Sequence, residues 1–183
     1  MVSFARFLLI ATSLAIILFI NPSAAKSRPI LVTNADIKTM CSKTEAHSLC
    51  LRLLTNQAND LHELAMIPLY LALKSASQTR QAISPLIRQA KNYKETQAYA
   101  LCSQNYSEAL DSVKLALLLL SKHDYRGLRV AALSAVVKAK ACGVRVATFI
   151  NPFSPFLQKN GDFKNYCNIL WVITNRLLEY TTS

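Results

Sequence analysis

Five cysteines are the residues with the most defined chemistry in this 183-residue sequence, and their spacing limits what they can do. They stand at Cys41, Cys50, Cys102, Cys142 and Cys167. Zinc sites use cysteines or histidines a few residues apart, and neither residue type is paired in this way here. In an exported chain, five cysteines predict at most two disulfide bridges and one free thiol.

The other candidates for chemistry are three histidines, His47, His62 and His123. No two of them are four residues apart on a helix, and the sequence has neither a glycine-rich phosphate loop nor a G-x-S-x-G nucleophile motif. We therefore interpret all three as solvated surface residues. The sequence predicts no catalytic residue, no metal site and no cofactor, and we expect that the protein is not an enzyme.

The N-terminal 25 residues have the pattern of a secretory signal peptide. Arg6 precedes an apolar or small run over residues 7–20, and Ser23-Ala24-Ala25 offers a cleavage site. This run is shorter than the roughly 20 residues of a membrane span, so we expect export and no membrane attachment after cleavage.

The expected mature chain, residues 26–183, is strongly basic. The whole sequence has a net charge of +11, and without Arg6 the mature chain carries +10. This charge favours acidic partners. Nucleic acid is not expected, because the basic residues are scattered and no basic, aromatic groove is evident.

Low glycine content and helical periodicity predict an all-α fold. The chain has three glycines, and its apolar residues recur at alternating steps of four and three rather than every second position. Three such stripes run from Cys102 to Leu120, from Leu128 to Phe149 and from Phe163 to Tyr180, and a longer one runs from Leu61 to Ala90. Four helices with such stripes form an antiparallel bundle.

Prolines and turn residues divide the chain further. Pro68 predicts a kink in the first long helix, and Ser84-Pro85 predicts that the helix restarts there. Residues 151–155 contain two prolines and should end the third helix, and Asn160-Gly161-Asp162 suggests a turn followed by a cap. We place a helical hairpin at about 30–56 and the four-helix bundle at about 58–181.

Helix geometry narrows the disulfide pairing. Cys102 and Cys142 are equally distant from the polar interhelical tip, Ser121 to Gly127, and both lie on inward stripes. Bridging them closes a loop of about 40 residues, worth roughly 4 kcal/mol in the chain-entropy account. Cys41 then pairs with Cys50, and Cys167 remains as a buried free thiol. Asn105-Tyr106-Ser107 is in addition a sequon, so Asn105 is a candidate for N-glycosylation.

Several short motifs, in order along the chain, resemble the plant invertase and pectin methylesterase inhibitor family. The resemblance covers nearly the whole expected mature chain. Single motifs are weak, but the ordered set is specific. The matching residues are Cys41, Thr44, Cys50 and Leu53; Cys102, Tyr106 and Ala109; Lys122-His123-Asp124-Tyr125; Leu133-Ser134-Ala135 and Cys142; Ser154-Pro155, Asn160 and Asp162-Phe163; and Ile173-Thr174-Asn175 with Leu177-Leu178.

The resemblance implies a four-helix bundle with an N-terminal helical hairpin, each tied by one disulfide. It also implies a secreted, cell-wall (apoplast) inhibitor that covers the active-site cleft of pectin methylesterase or of acid invertase, without catalysis of its own. Invertase inhibitors of the family carry Pro-Lys-Phe near the positions of Tyr125, Arg126 and Gly127, and this sequence lacks it. We therefore favour pectin methylesterase as the target.

The partner surface is expected among exposed residues of the tip and of the helix after it. Tyrosine and arginine contribute strongly to interfaces, and a cationic face steers association with an acidic cleft. The alternative is that the basic surface binds acidic pectin directly. The candidate interface residues are Lys122, His123, Asp124, Tyr125, Arg126, Arg129, Lys138 and Lys140.

Overall fold

The computed structural model describes residues 29–182, which form six helices. The expected signal peptide, residues 1–25, lies outside the described residues. None of the six helices combines the length and apolarity that a membrane span requires. The helices are α1 Asn34–Cys41, α2 His47–Leu54, α3 Leu61–Gln89, α4 Tyr93–Ser121, α5 Tyr125–Val146 and α6 Pro155–Thr182.

Helices α3 to α6 form the antiparallel bundle. Helix α4 packs against α3 and α5, and α6 also packs against α3 and α5, so α3 and α5 lie diagonally opposite each other. All residues of the stripe from Cys102 to Leu120 are buried in the core. Most of the stripe that begins at Leu128 is buried too, but Phe149 at its end is only half-buried. The predicted all-α bundle is confirmed.

Side-chain caps fix where the long helices begin. The carboxylate of Asp60 accepts a hydrogen bond from the backbone N–H of His62 at 3.1 Å, and the amide oxygen of Asn92 accepts one from Glu95 N–H at 3.0 Å. Such caps satisfy backbone donors that have no partner within the helix. The cap at Asn92 explains why α4 begins at Tyr93, nine residues before Cys102, the first residue of its predicted apolar stripe.

The short helices α1 and α2 form the N-terminal hairpin, which packs against α6 and α3. Cys41 and Cys50 are bridged within this hairpin, and Cys102 and Cys142 are bridged between α4 and α5. Cys167 is unbridged and fully buried, and burial raises the pKa of its thiol. That environment suits a small apolar side chain rather than a reactive thiol.

Two expected helix interruptions are absent. Helix α3 continues through Pro85 instead of restarting there, and α6 begins at Pro155 and continues through Asn160-Gly161-Asp162. Ser154 accepts a hydrogen bond from Leu157 N–H at 3.3 Å, so the cap lies earlier than predicted. The expectation of a turn at Asn160 was wrong because this residue is held inside the bundle.

Asn160 belongs to a buried polar centre to which all four bundle helices contribute. Its amide oxygen accepts a 2.8 Å hydrogen bond from the hydroxyl of Tyr106. Burial raises the pKa of Tyr106, although the nearby hydroxyl of Thr79 opposes this rise. The fourth helix contributes Gly143, where a Cβ atom would lie only 2.6 Å from the Asn160 amide nitrogen.

Candidate functional site

One end of the bundle brings together the predicted tip and two elements that sequence reasoning did not associate with it. Because neighbouring helices run in opposite directions, the start of α3 and the end of α6 lie at the same end as the connection between α4 and α5. A cavity of about 510 Å³ opens there. Its lining residues are Pro29, Ile30, Leu31, His123, Tyr125, Tyr180 and Thr181.

The connection between α4 and α5 is short and conformationally fixed. His123 has a positive φ of 57°, and Asp124 caps α5 by accepting a hydrogen bond from Gly127 N–H at 2.9 Å. A Cβ atom at Gly127 would lie 2.6 Å from the Asp124 carboxylate, so the absence of a side chain permits this close cap. The predicted tip, Ser121 to Gly127, therefore contracts to residues 122–124.

A cluster of three rings supports the tip. The rings of His62 and His123 stack with their centroids 4.7 Å apart, and Nδ1 of His62 lies 3.4 Å from the hydroxyl of Tyr125. Burial lowers the pKa of His62, and the nearby His123 lowers it further. Burial also raises the pKa of the Tyr125 hydroxyl.

Two expectations about these rings were wrong. His62 is half-buried and packed in the cluster, not an isolated solvated residue. Tyr125 is only 6% exposed, so it supports the tip from beneath and cannot present its ring to a partner. The alternation of helix direction in an antiparallel bundle was the available signal that the N-terminus of α3 would lie near the tip.

The other predicted tip residues, and Arg129 on the helix after the tip, are exposed; together these are Lys122, His123, Asp124, Arg126 and Arg129. We call these five residues the tip surface. Arg126 borders a smaller cavity of about 230 Å³ between the tip and the end of α6. Arg129 borders a cleft of about 710 Å³ between α1, α5 and α6, which Trp171 also lines.

The two lysines predicted further along α5 have different surroundings. Lys138 forms an ion pair with Glu108 of α4, and the two side chains are 34% and 39% exposed. Lys138, expected as an exposed candidate interface residue, is instead half-buried and paired. The hydrogen bonds that Lys138 and Gln104 donate lower the pKa of Glu108. Lys140 is exposed, but it lies far from the tip along the helix.

The outer face of α5 is more apolar than expected. Val130, Leu133, Val137 and Val144 are 65%, 49%, 54% and 65% exposed, at spacings of three, four and seven residues. Outward positions of a bundle helix are normally polar. Sequence reasoning overlooked this second stripe because the inward stripe of the same helix already accounted for its periodicity.

Two further features of the described residues bear on function. Among residues 29–182, no group of three or more histidine, cysteine, aspartate or glutamate side chains is placed to hold a metal ion. Asn105 lies within α4 and is half-buried, so the sequon occupies a regular helix rather than a loop.

Comparisons with known proteins agree with this architecture. The sequence model of the plant invertase/pectin methylesterase inhibitor family matches residues 35–154. A pectinesterase inhibitor of Actinidia deliciosa is 32% identical over 173 residues, covering 92% of this chain and 93% of the relative. Pectinesterase inhibitor 2 of Arabidopsis thaliana is 32% identical over 148 residues, covering 78% and 84% of the two chains.

Solved structures are similar over the same region. A crystal structure of a mutant form of an Arabidopsis pectin methylesterase inhibitor superposes with a TM-score of 0.71 at 26% identity, covering 76% of this chain and 95% of the other. A second crystal structure of an Arabidopsis thaliana pectin methylesterase inhibitor gives a TM-score of 0.62, covering 80% and 98%. By sequence and by fold, this chain belongs to the plant invertase/pectin methylesterase inhibitor family.

Proposed function

We propose that the protein is a secreted inhibitor of pectin methylesterase that binds the enzyme through its tip surface and covers the active-site cleft. The relatives that match most of the chain are named pectinesterase inhibitors, which supports the choice of target. The absence of Pro-Lys-Phe near Tyr125 supports it further against acid invertase.

The observation that carries the proposal is that exposed arginines lie at a tip whose conformation is supported by a helix cap and by packed rings. Asp124 caps α5 and Tyr125 is buried beneath the tip, while His62 stacks on His123 from a different helix. A preorganised surface loses little conformational entropy on binding, so more of the interaction energy remains as affinity. Arginine residues are also frequent energetic centres of protein interfaces.

The proposed mechanism is steric exclusion assisted by charge. A bundle of four helices, each about 10 Å in diameter, is wider than a single polysaccharide chain, so seating it over a cleft excludes the polymer. The excess of basic over acidic residues steers the bundle towards an acidic cleft and raises the association rate. The protein contributes no reacting group in this mechanism.

The proposed location is the plant cell wall. Residues 1–25 have the pattern of an export signal, and two disulfides suit an oxidising compartment. There, inhibition of the esterase would preserve the methyl esters of pectin. The protein would thereby regulate how many carboxylates the wall polymer carries.

The test is an inhibition titration with purified residues 26–183 and their intact disulfides. Pectin methylesterase is assayed on pectin and on a small neutral methyl ester, and acid invertase is assayed in parallel. We expect near-stoichiometric inhibition of the esterase on both substrates and unchanged invertase activity. Inhibition on pectin alone would show that the protein masks the polymer, and inhibition of invertase alone would contradict the proposed target.

A further inference from the structure

A second surface lies at the opposite end of the bundle from the tip surface. It is a groove of about 690 Å³ between the start of α4 and the last turns of α5. We call it the far groove. Its lining residues are Lys94, Val137, Lys140, Ala141, Val144, Arg145 and Thr148.

The charged side chains that line the far groove are all basic. Lys94, Lys140 and Arg145 are exposed, and no carboxylate of residues 29–182 lies within ion-pair distance of them. The adjacent Glu95 is engaged in capping, because its carboxylate accepts a 2.9 Å hydrogen bond from Lys91 N–H. Glu45 lies near Lys140, but it forms an ion pair with Lys164 at 2.9 Å.

Apolar side chains separate these cations. Val137 and Val144 lie on the outward face of α5 and remain more than half exposed. A ligand that fits this arrangement carries several carboxylates and also has apolar faces to place on the valines. A chain of uronic acid sugars has both features, since the C–H faces of its rings are apolar and each unesterified ring carries a carboxylate.

We propose that the far groove binds a polyuronate chain, the de-esterified form of pectin. This inference rests on the proposed function, because pectin methylesterase releases methanol from each ester and leaves a carboxylate on the polymer. The groove would therefore bind the product of the target enzyme more tightly than its esterified substrate. Anchoring would concentrate the inhibitor where de-esterification has already occurred.

The distance between the two surfaces allows both to be occupied at once. Arg126 and Val144 are 18 residues apart on the same helix, which corresponds to about 27 Å along its axis. An enzyme at the tip surface and a polyuronate in the far groove therefore need not compete. Binding in the groove depends on exposed charges and weakens as salt screens them.

The test measures binding of an unesterified oligogalacturonate of defined length to residues 26–183 by calorimetry at low and moderate salt. The groove variant is Lys94→Glu/Arg145→Glu, and Lys94→Gln/Arg145→Gln repeats the test without charge reversal. The control is Lys74→Glu/Arg80→Glu on α3, which changes the net charge equally and lies diagonally opposite α5. Circular dichroism verifies that each variant is folded.

We expect the groove variant with glutamates to bind the oligogalacturonate at least tenfold more weakly, and the control to bind within about twofold of the parent. The fully methyl-esterified oligomer should bind at least tenfold more weakly than the unesterified one. Equal weakening in groove and control variants would overturn the proposal, since net charge alone would then explain binding. If the protein bound a poly-glutamate peptide as tightly as the oligogalacturonate, the proposal would also be overturned, because the groove would then recognise carboxylates without recognising the sugar.

Esterase inhibition separates this inference from the proposed function. Neither Lys94 nor Arg145 belongs to the tip surface, so the groove variant should inhibit the enzyme on a small ester like the parent. A loss of inhibition in this variant would overturn the polyuronate site and assign the groove to the enzyme interface. A parent protein that binds oligogalacturonate without inhibiting the esterase would refute the proposed function alone.

Discussion

At the scale of single residues, the space beside two helical glycines predicts opposite effects of the same substitution. Gly143 faces the Asn160 amide with only 2.6 Å available for a Cβ atom, whereas a Cβ atom at Gly161 would meet nothing within 4 Å. Alanine normally stabilises a helix interior by roughly 0.5–1 kcal/mol relative to glycine. The local contacts therefore determine the sign of the effect.

We predict that Gly143→Ala lowers the free energy of unfolding by roughly 1–2 kcal/mol, because Asn160 must move and weaken its hydrogen bond from Tyr106. Gly161→Ala should instead raise it by up to about 1 kcal/mol. Urea denaturation of both variants provides the measurement. Equal effects of the two substitutions would show that the contact between α5 and Asn160 is not important for stability.

The cluster of His62, His123 and Tyr125 predicts a pH dependence of stability. The pKa of His62 is lowered in the folded protein, so the unfolded chain binds more protons as the pH falls through the ordinary histidine pKa of 6.5. The contribution of His62 to the free energy of unfolding is therefore fully present above that pH. It decreases below that pH, until His62 is also protonated in the folded protein.

The check compares unfolding free energies of the parent, His62→Gln and His47→Gln at pH 7 and pH 5. His47 is exposed at the start of α2 and serves as the control. We expect His62→Gln to lose less stability on acidification than the parent, while His47→Gln should follow the parent. An equal loss of unfolding free energy on acidification in all three proteins would show that His62 does not cause the pH dependence.

At the scale of elements, the sequence was sufficient to predict most of the buried seams of the helices but not all of their ends. Tyr180, the last residue of the predicted α6 stripe, is 43% exposed. The inward stripe of α4 follows from the alternating spacing between Cys102 and Leu120. The continuation of α6 through Asn160 does not follow from local sequence, because the Asn160 side chain is satisfied by Tyr106, 54 residues earlier. Local turn signals are overridden where a distant partner satisfies the polar side chain.

The same limit applies to the candidate interface. The exposure of Arg126 and Arg129 follows from their offset from the inward stripe. The burial of Tyr125 depends on its packing beneath His62 and His123, and the ion pair of Lys138 depends on the register between α4 and α5. Neither contact can be derived from one helix considered alone.

The two disulfides should contribute unequally to stability. They join cysteines separated by 40 and 9 positions in the sequence. In the chain-entropy account, the longer loop is worth roughly 4 kcal/mol and the shorter one roughly 3 kcal/mol. We therefore predict a larger loss for Cys102→Ser/Cys142→Ser than for Cys41→Ser/Cys50→Ser in urea denaturation.

Peptide mapping without reduction tests the pairing itself. We expect linked peptides containing Cys41 with Cys50 and Cys102 with Cys142. Cys167 should react with an alkylating reagent only after unfolding, because its side chain is fully buried. A bridge that includes Cys167 would contradict the arrangement of α6 in the bundle.

At the scale of the whole molecule, the protein presents two basic surfaces at opposite ends of a rigid bundle. Its basic net charge was evident from composition, but the grouping of some basic residues at the tip surface and in the far groove required the fold. The tip surface is proposed to bind the enzyme, and the far groove to bind the product polymer. The two roles can be separated by Arg126→Glu at the tip surface and Lys94→Glu/Arg145→Glu in the far groove.

The most direct test of the central proposal is the dissociation constant between pectin methylesterase and Arg126→Glu, measured beside the parent and Lys74→Glu. Arg126 is in the first turn of α5, where a carboxylate interacts favourably with the helix dipole, so the variant should remain folded. Lys74→Glu makes the same charge change on α3, diagonally opposite α5.

We predict that Arg126→Glu raises the dissociation constant at least tenfold, which corresponds to about 1.4 kcal/mol, whereas Lys74→Glu changes it by less than about threefold. Unchanged affinity in Arg126→Glu, or an equal loss in both variants, would contradict the assignment of the tip surface as the site that binds the enzyme.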